Sequence, residues 1–243
     1  MLMRTCPVCS CRFPNFYPLG RSHLEILHRL NVHYCIEDFE TLNVGQYSCP
    51  ECMASDRDRL YALFAMNMLD NPPGKPLRIL DIAPAVVLSK FLRSLPNARY
   101  RSADLFSPLA DDVVDIMDMH MYADESFDFI VCSHVLEHVP DDRKAMSELF
   151  RVLAKGGSAI LMVPILLTAT ETEEDPYEAS VDERWARFGQ DDHVRMYARQ
   201  DFQSRLTQAG FDVKALGSQA FGEGVFKQHG ITEQSVLYIG QKS

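Results

Sequence analysis

What the chain lacks narrows its class first. No apolar run approaches the roughly 18 residues that a membrane span requires, and Met1-Leu2-Met3-Arg4 leads straight into cysteines with no apolar signal segment. A cytoplasmic protein without a membrane partner is the expectation. Basic charge is short as well: 24 lysines and arginines against 34 aspartates and glutamates leave a net charge of -10. Binding along phosphate backbones is driven by lysine and arginine displacing counterions, so nucleic acid is disfavoured as a partner. Arg4, Arg12, Arg21 and Arg29, facing Glu25 alone in residues 1–34, still leave room for a local basic face. There are no internal repeats or low-complexity tracts. Seven cysteines are an odd count, and with no export signal they argue for thiols and metal rather than a disulfide framework. At 47% hydrophobic and 24% charged, the 243 residues have the composition of one sizeable folded α/β domain with a small appendage.

The appendage is residues 1–55. Cys6-Pro7-Val8-Cys9 and Cys49-Pro50-Glu51-Cys52 are two CxxC knuckles separated by 39 residues, and each lets two thiolates reach one tetrahedral ion from a tight turn. Four sulfurs suit Zn2+, and a four-thiolate set leaves no open position for water, so the expected role is structural. Residues 13–48 must loop out between the knuckles, with Leu24, Ile26, Leu27 and Leu30 predicting a helix inside the loop. Cys11 crowds the first knuckle, and His23, His28 and His33 are spare nitrogens. The alternative is a set of free cysteines; neither knuckle opens a thioredoxin-like βαβ pattern, which argues against a redox pair.

Residues 56–243 carry the pattern of a parallel sheet. Ser55-Asp56-Arg57-Asp58 caps a helix over about 59–69, which Asn71-Pro72-Pro73-Gly74 ends. Strands are predicted over Leu77–Ile82, Arg99–Leu105, Val113–Asp118, Phe127–Cys132 and Ala159–Val163. Pro140-Asp141-Asp142 starts a helix that Gly156-Gly157 ends, so Asp124 to Pro164 reads as one βαβ unit. In such sheets the ligand lies outside the carboxyl ends of the strands, which puts the chemistry near Ser133 to His138. Asp104 follows Asp81 by 23 residues, close to the spacing at which an acidic side chain meets ribose hydroxyls. An acidic stretch, Thr168 to Glu183, reads as solvated surface on a mobile lid or substrate loop, and residues 168–197 as one insertion. A helix over Asp201–Ala209 and two terminal strands, Phe211–Leu216 and Ser235–Ile239, close the chain.

The segment SHVLEHV at the end of a strand, followed by a helix, a Gly-Gly turn and another strand, resembles class I S-adenosylmethionine-dependent methyltransferases. Paired CPxC motifs ahead of this core, the Ala83-Pro84 turn and the FGQ-x-DHVR-x-Y segment at Phe188 to Tyr197 resemble one bacterial branch of that family. The resemblance covers nearly the whole chain. It implies an α/β fold with a Rossmann-like, doubly wound seven-stranded sheet, last strand antiparallel, and a small N-terminal zinc-binding unit. It also implies S-adenosyl-L-methionine as cofactor and a small polar acceptor methylated on oxygen or nitrogen, of the kind found in natural-product or surface-polysaccharide metabolism.

Carried over residue by residue, the resemblance sets Asp81 and the Ala83-Pro84 turn at the methionine end of the cofactor. It gives Asp104 the ribose, Leu105 the adenine face and Asp118-Met119 the adenine amino edge, with Ser133 and His134 on the pocket floor. The turn departs from the family pattern in lacking glycine, and Pro84 offers no amide hydrogen; the following helix, Leu88–Leu95, can still aim its first amides at a carboxylate. If the acceptor is a hydroxyl, a histidine base is the best fit. His134 is one candidate, and His193 with Tyr197 as its orienting partner is the other; a carboxylate or neutral amine acceptor needs neither. His138 is expected to hydrogen-bond within the sheet-helix junction. Two other readings stay open: an RNA methyltransferase gripping RNA with the basic zinc unit, and a non-catalytic interaction protein whose altered first turn no longer holds the donor.

Overall fold

Phe127–Ser133 forms β6, and its apolar run is buried on both faces because helices cover a parallel sheet from either side. The structure is a computed structural model that describes residues 3–29, 32, 34–67 and 76–243. Beside β6 lie β3 (Leu77–Ile82) and β7 (Leu153–Met162), both parallel to it. Outward from β3 come β4 (Ala98–Asp104) and β5 (Asp112–Val113). Outward from β7 come β11 (Leu237–Gln241) and β10 (Asp212–Leu216), with β11 antiparallel to both of its neighbours. With the order β10-β11-β7-β6-β3-β4-β5, this is the seven-stranded, doubly wound sheet that the family resemblance implies. After β3 the chain turns to one side and after β6 to the other, so the topological switch lies between the carboxyl ends of these two strands. Helices α2 (Asp56–Asn67), α3 (Val86–Arg93), α4 (Asp142–Val152) and α6 (Arg199–Gln208) accompany the sheet.

Local chemistry sets the element ends. Ser55 Oγ accepts from the Asp58 amide while Asp58 Oδ2 accepts from the Ser55 amide, a reciprocal capping box at the start of α2. The predicted end of that helix, Leu69 and Asn71-Pro72-Pro73-Gly74, lies outside the described residues, as do Leu30 and His33 of the N-terminal unit. Two expectations are corrected. Gly156-Gly157 does not stop α4; the helix ends at Val152 and the pair lies inside β7. A Cβ on Gly157 would sit 2.8 Å from the Ala154 carbonyl oxygen and 2.9 Å from that of Asp128, so glycine permits the close approach where the β6–β7 register shifts. The third strand is only Asp112–Val113, because the Asp115 carboxylate accepts from the Met117 amide and turns the chain.

The N-terminal unit holds the pair β1 (Arg4–Thr5) and β2 (Arg12–Phe13) and the helix α1 (Arg21–Arg29). It is joined to the sheet domain through Arg59, which is wholly buried. Its guanidinium donates to the carbonyls of Gln46, Tyr47 and Ala54 in the N-terminal unit and of His229 and Gly230 just after α7 (Val225–Gln228), at 2.6–3.0 Å. It also stacks on Phe16, 3.8 Å from the ring centroid. The acidic stretch is likewise folded rather than loose. β8 (Glu173–Glu174) pairs with β9 (Arg195–Met196), α5 (Val181–Phe188) lies between them, and Arg187 bridges Glu173, Asp175 and Glu178. Among the described residues no helix is long and apolar enough to cross a membrane.

Replacing Arg59 by methionine would keep most of the volume and strand five carbonyls. Urea denaturation is expected to report a loss of about 3 kcal/mol or more; a loss under about 1 kcal/mol would remove Arg59 as the fastening.

Candidate active site

At the switch between β3 and β6 lies a cavity of about 380 Å³ lined by Asp81, Ala83, Ser133 and His134 from the strand ends and by Arg57 and Tyr61 from α2. Ala83 (φ 49°) and His134 (φ 57°) both adopt left-handed backbone, which a side chain makes costly, by about 1 kcal/mol each. The glycine-free turn after β3 therefore keeps a conformation that glycine would adopt without cost. Burial pushes the Asp81 carboxyl up to about 7, against the opposing effect of the Tyr100 hydroxyl that donates to it at 2.7 Å. The Ser133 hydroxyl is hydrogen-bonded to that of Tyr61 at 2.8 Å.

A second, outer cavity of about 300 Å³ shares Tyr47, Arg57 and His134 with the first. Its walls are largely apolar: Leu19, Ile36, Phe39 and Leu42 from the N-terminal unit, Val163 and Ile165 after β7, and Phe188 from α5. Thr41, Gln190 and His193 supply polar atoms. At the neck between the cavities Arg57 Nη1 is hydrogen-bonded to His134 Nε2, and Arg57 Nη2 donates to the Tyr47 hydroxyl. An arginine only donates, so His134 Nε2 is the acceptor and the ring hydrogen sits on Nδ1, 3.1 Å from Glu137 Oε1. Burial and then the Arg57 charge bring the His134 imidazole down to about 4. Burial alone would raise the Glu137 carboxyl, but the three neighbouring histidines outweigh it and hold it at about 2.

The four predicted thiol ligands come together as well. Cys6 Sγ lies 3.7 Å from Cys52 Sγ and Cys9 Sγ lies 3.8 Å from Cys49 Sγ, and all four sulfurs fall within 4.8 Å of one another. A tetrahedral ion with bonds of about 2.3 Å separates its sulfurs by about 3.8 Å. The knuckles are alike in backbone detail: Ser10 and Met53 adopt φ of 62° and 64°, and their amides donate to the Cys6 and Cys49 carbonyls.

Residues 53–216 match the family described as a methyltransferase domain. The chain belongs to that family. It is 34% identical over 187 residues to ajmaline N-methyltransferase of Rauvolfia serpentina, covering 68% of this chain and 62% of that protein, and so spans less than two thirds of the relative's length. Among solved structures, CurJ carbon methyltransferase superposes with a TM-score of 0.50 at 17% identity, over 76% of this chain and 54% of that one, a likeness of fold alone.

Within this methyltransferase domain the predicted site residues divide. Asp81, Ala83, Ser133 and His134 share the inner cavity, whereas Asp104, Leu105, Asp118 and Met119 lie outside its wall. Asp104 Oδ1 accepts from the Phe106 and Ser107 amides, at 2.7 Å each, and caps the turn after β4, where Leu105 and Phe106 are 45% and 87% exposed. Asp118 faces His120 at 3.2 Å, and Met119 is buried with its amide on Glu148. Pro84 follows Ala83 into α3 without lining either cavity. Sequence reasoning missed Arg57, Tyr47 and Tyr61. An arginine inside a helix cap was the available signal, but it read as cap chemistry.

Tyr197 is not the partner of His193. Its buried hydroxyl donates to Asp142 Oδ2 at 2.6 Å, and His193 Nδ1 faces the Phe188 carbonyl at 2.9 Å. The DHVR-x-Y segment is instead a strap. Arg195 donates to the carbonyls of Leu136, Val139 and Pro140, the Val194 amide donates to the Glu137 carbonyl, and Tyr197 holds the first residue of α4. Tyr197→Phe is expected to lower stability by about 1–3 kcal/mol while turnover, measured well below the unfolding transition, stays within about twofold. A loss of turnover of 100-fold or more without loss of stability would return the hydroxyl to the chemistry.

Proposed function

We propose that this chain transfers a methyl group from S-adenosyl-L-methionine to a small molecule held in the outer cavity. The observation that carries the reading is the neck: two cavities at the sheet's switch point meet at Arg57, Tyr47 and His134. When bound, the cofactor supplies an electrophilic methyl group on a charged sulfur. Asp81 would face its ammonium and Arg57 its carboxylate from opposite walls of the inner cavity. Asp104, Leu105 and Asp118 keep the nucleoside roles that the family resemblance gives them, beyond that cavity along the strand tips, whereas Met119, fully buried with its amide on Glu148, does not. Apolar walls from the N-terminal unit and α5 would exclude water and align the acceptor.

An amine nitrogen on an apolar body is the acceptor favoured here. His134 has its Nε2 occupied by Arg57 and serves poorly as a base, and a neutral amine needs none. The likeness to a protein named as an N-methyltransferase points the same way. We further propose that Cys6, Cys9, Cys49 and Cys52 hold a structural Zn2+, since their spacing matches a tetrahedron of thiolates.

Two measurements test these readings. A bound ammonium favours the ionised Asp81, so donor binding releases a proton wherever the free protein holds Asp81 protonated. By calorimetry, affinity should therefore rise with pH by up to about tenfold per unit below pH 7 and level off above it, and Asp81→Asn should flatten the profile. No uptake of S-adenosylmethionine by pure protein would hand the lead to a non-catalytic interaction protein. Metal analysis should find one thiolate-bound equivalent of zinc, lost in Cys49→Ser; its retention in that variant would refute the tetrathiolate site.

A further inference from the structure

Beside the neck, Glu137 is completely buried, and neither of its carboxylate oxygens has an aligned hydrogen-bond donor among the described residues. A buried carboxylate so poorly provided with donors is costly, by several kcal/mol. Three imidazoles surround Oε1: His134 Nδ1 at 3.1 Å, and His138 Nε2 and His193 Nε2 at 4.0 Å each. His134 contributes a hydrogen, since its other nitrogen accepts from Arg57.

The other two rings differ. His193 Nδ1 lies 2.9 Å from the Phe188 carbonyl oxygen, and His138 Nδ1 lies 3.3 Å from Asp192 Oδ2. Both oxygens accept only, so both rings place a hydrogen on Nδ1, and in its neutral form each turns an Nε2 lone pair toward Glu137. Neutral rings so placed repel the carboxylate unless a proton on each ring or a shared cation supplies positive charge, and 4.0 Å is too long for a ring hydrogen to make a hydrogen bond.

Orientation of the far nitrogen by a carbonyl or carboxylate is the support that metal-binding histidines characteristically have. Two imidazoles and one carboxylate form a donor set for zinc or a similar divalent ion, with a coordination position left over. The ligand atoms of Glu137, His138 and His193 lie within 4.8 Å of one another, a spread that one ion with bonds of about 2.0–2.2 Å gathers by adjustments of under about 1 Å. The backbone already fixes the parts, because the strap bonds to the carbonyls of Leu136, Glu137, Val139 and Pro140. We propose that Glu137, His138 and His193 form a second metal site, distinct from the cysteine cluster, that takes a zinc-class divalent ion. His193 also lines the outer cavity, so the ion would border the space assigned to the acceptor. That placement rests on the proposed function; the binding of the ion does not.

The test is Co2+ titration of the intact protein with zinc already on its cysteines, followed by visible absorption. Wild type is expected to take one further equivalent, giving ligand-field bands without thiolate-to-cobalt charge transfer. Glu137→Gln and His138→Asn should each weaken that uptake at least tenfold while the thiolate-bound zinc remains. His138 is only half-buried, so its variant guards against misfolding, which unchanged thermal unfolding would verify. No uptake beyond the cysteine-bound equivalent, or equal uptake by folded His138→Asn, would overturn the site. Cobalt uptake that depends on His138 in a protein that binds no S-adenosylmethionine would uphold the site and refute the proposed function alone.

Discussion

Arg59 brings distant parts of the chain to one guanidinium. It is buried, no carboxylate among the described residues is bonded to it, and five carbonyls share its hydrogens. Gly230 must be glycine for this to close, since a Cβ there would fall 2.3 Å from Phe16, the ring beneath the guanidinium. Because the N-terminal unit is pinned in this way over the strand ends, Leu19, Ile36, Phe39 and Leu42 become a wall of the outer cavity instead of an independent module. A metal on the cysteines, by stiffening that unit, would then act on the shape of the acceptor space.

The strap is the second fastening, and it uses the same physics. Arg195 collects carbonyls from the loop after β6 as Arg59 does from the knuckle and the segment after α7. Arg205 and Tyr197 converge on Asp142, tying α6 and the insertion to the start of α4. Buried, multiply hydrogen-bonded guanidiniums thus hold in position the loop that carries His134 and Glu137. The left-handed backbone at Ala83 and His134 is tolerated at the rim of the inner cavity because a paired strand anchors the chain immediately before each.

Much of this was legible before any coordinates. The βαβ unit at β6 and β7, the clustering of Cys6, Cys9, Cys49 and Cys52 and the location of the pocket at the end of β6 followed from apolar runs, paired knuckles and the switch-point rule, while the seven-stranded sheet with its antiparallel last strand followed from the family resemblance. What failed had local causes. Gly156-Gly157 carries the usual signature of a helix stop, and only the close approach of the Asp128 carbonyl shows its use inside a strand. Val113 to Asp118 has strand composition, overridden by an aspartate that captures an amide two residues ahead. The acidic stretch looked solvated because its arginine partners lie up to 31 residues away in sequence. Arg57 was hidden because a residue's value at the neck depends on which elements meet there, and no periodicity records that.

The central claim is that the neck at Arg57, Tyr47 and His134 is where donor and acceptor face one another. The most direct measurement is a crystal structure with S-adenosylhomocysteine bound. The account predicts the amino-acid end in the inner cavity between Asp81 and Arg57, with the sulfur at the neck directed toward the space walled by the N-terminal unit. A sulfur directed away from that space, or a ligand bound outside the crevice between β3 and β6, would contradict it.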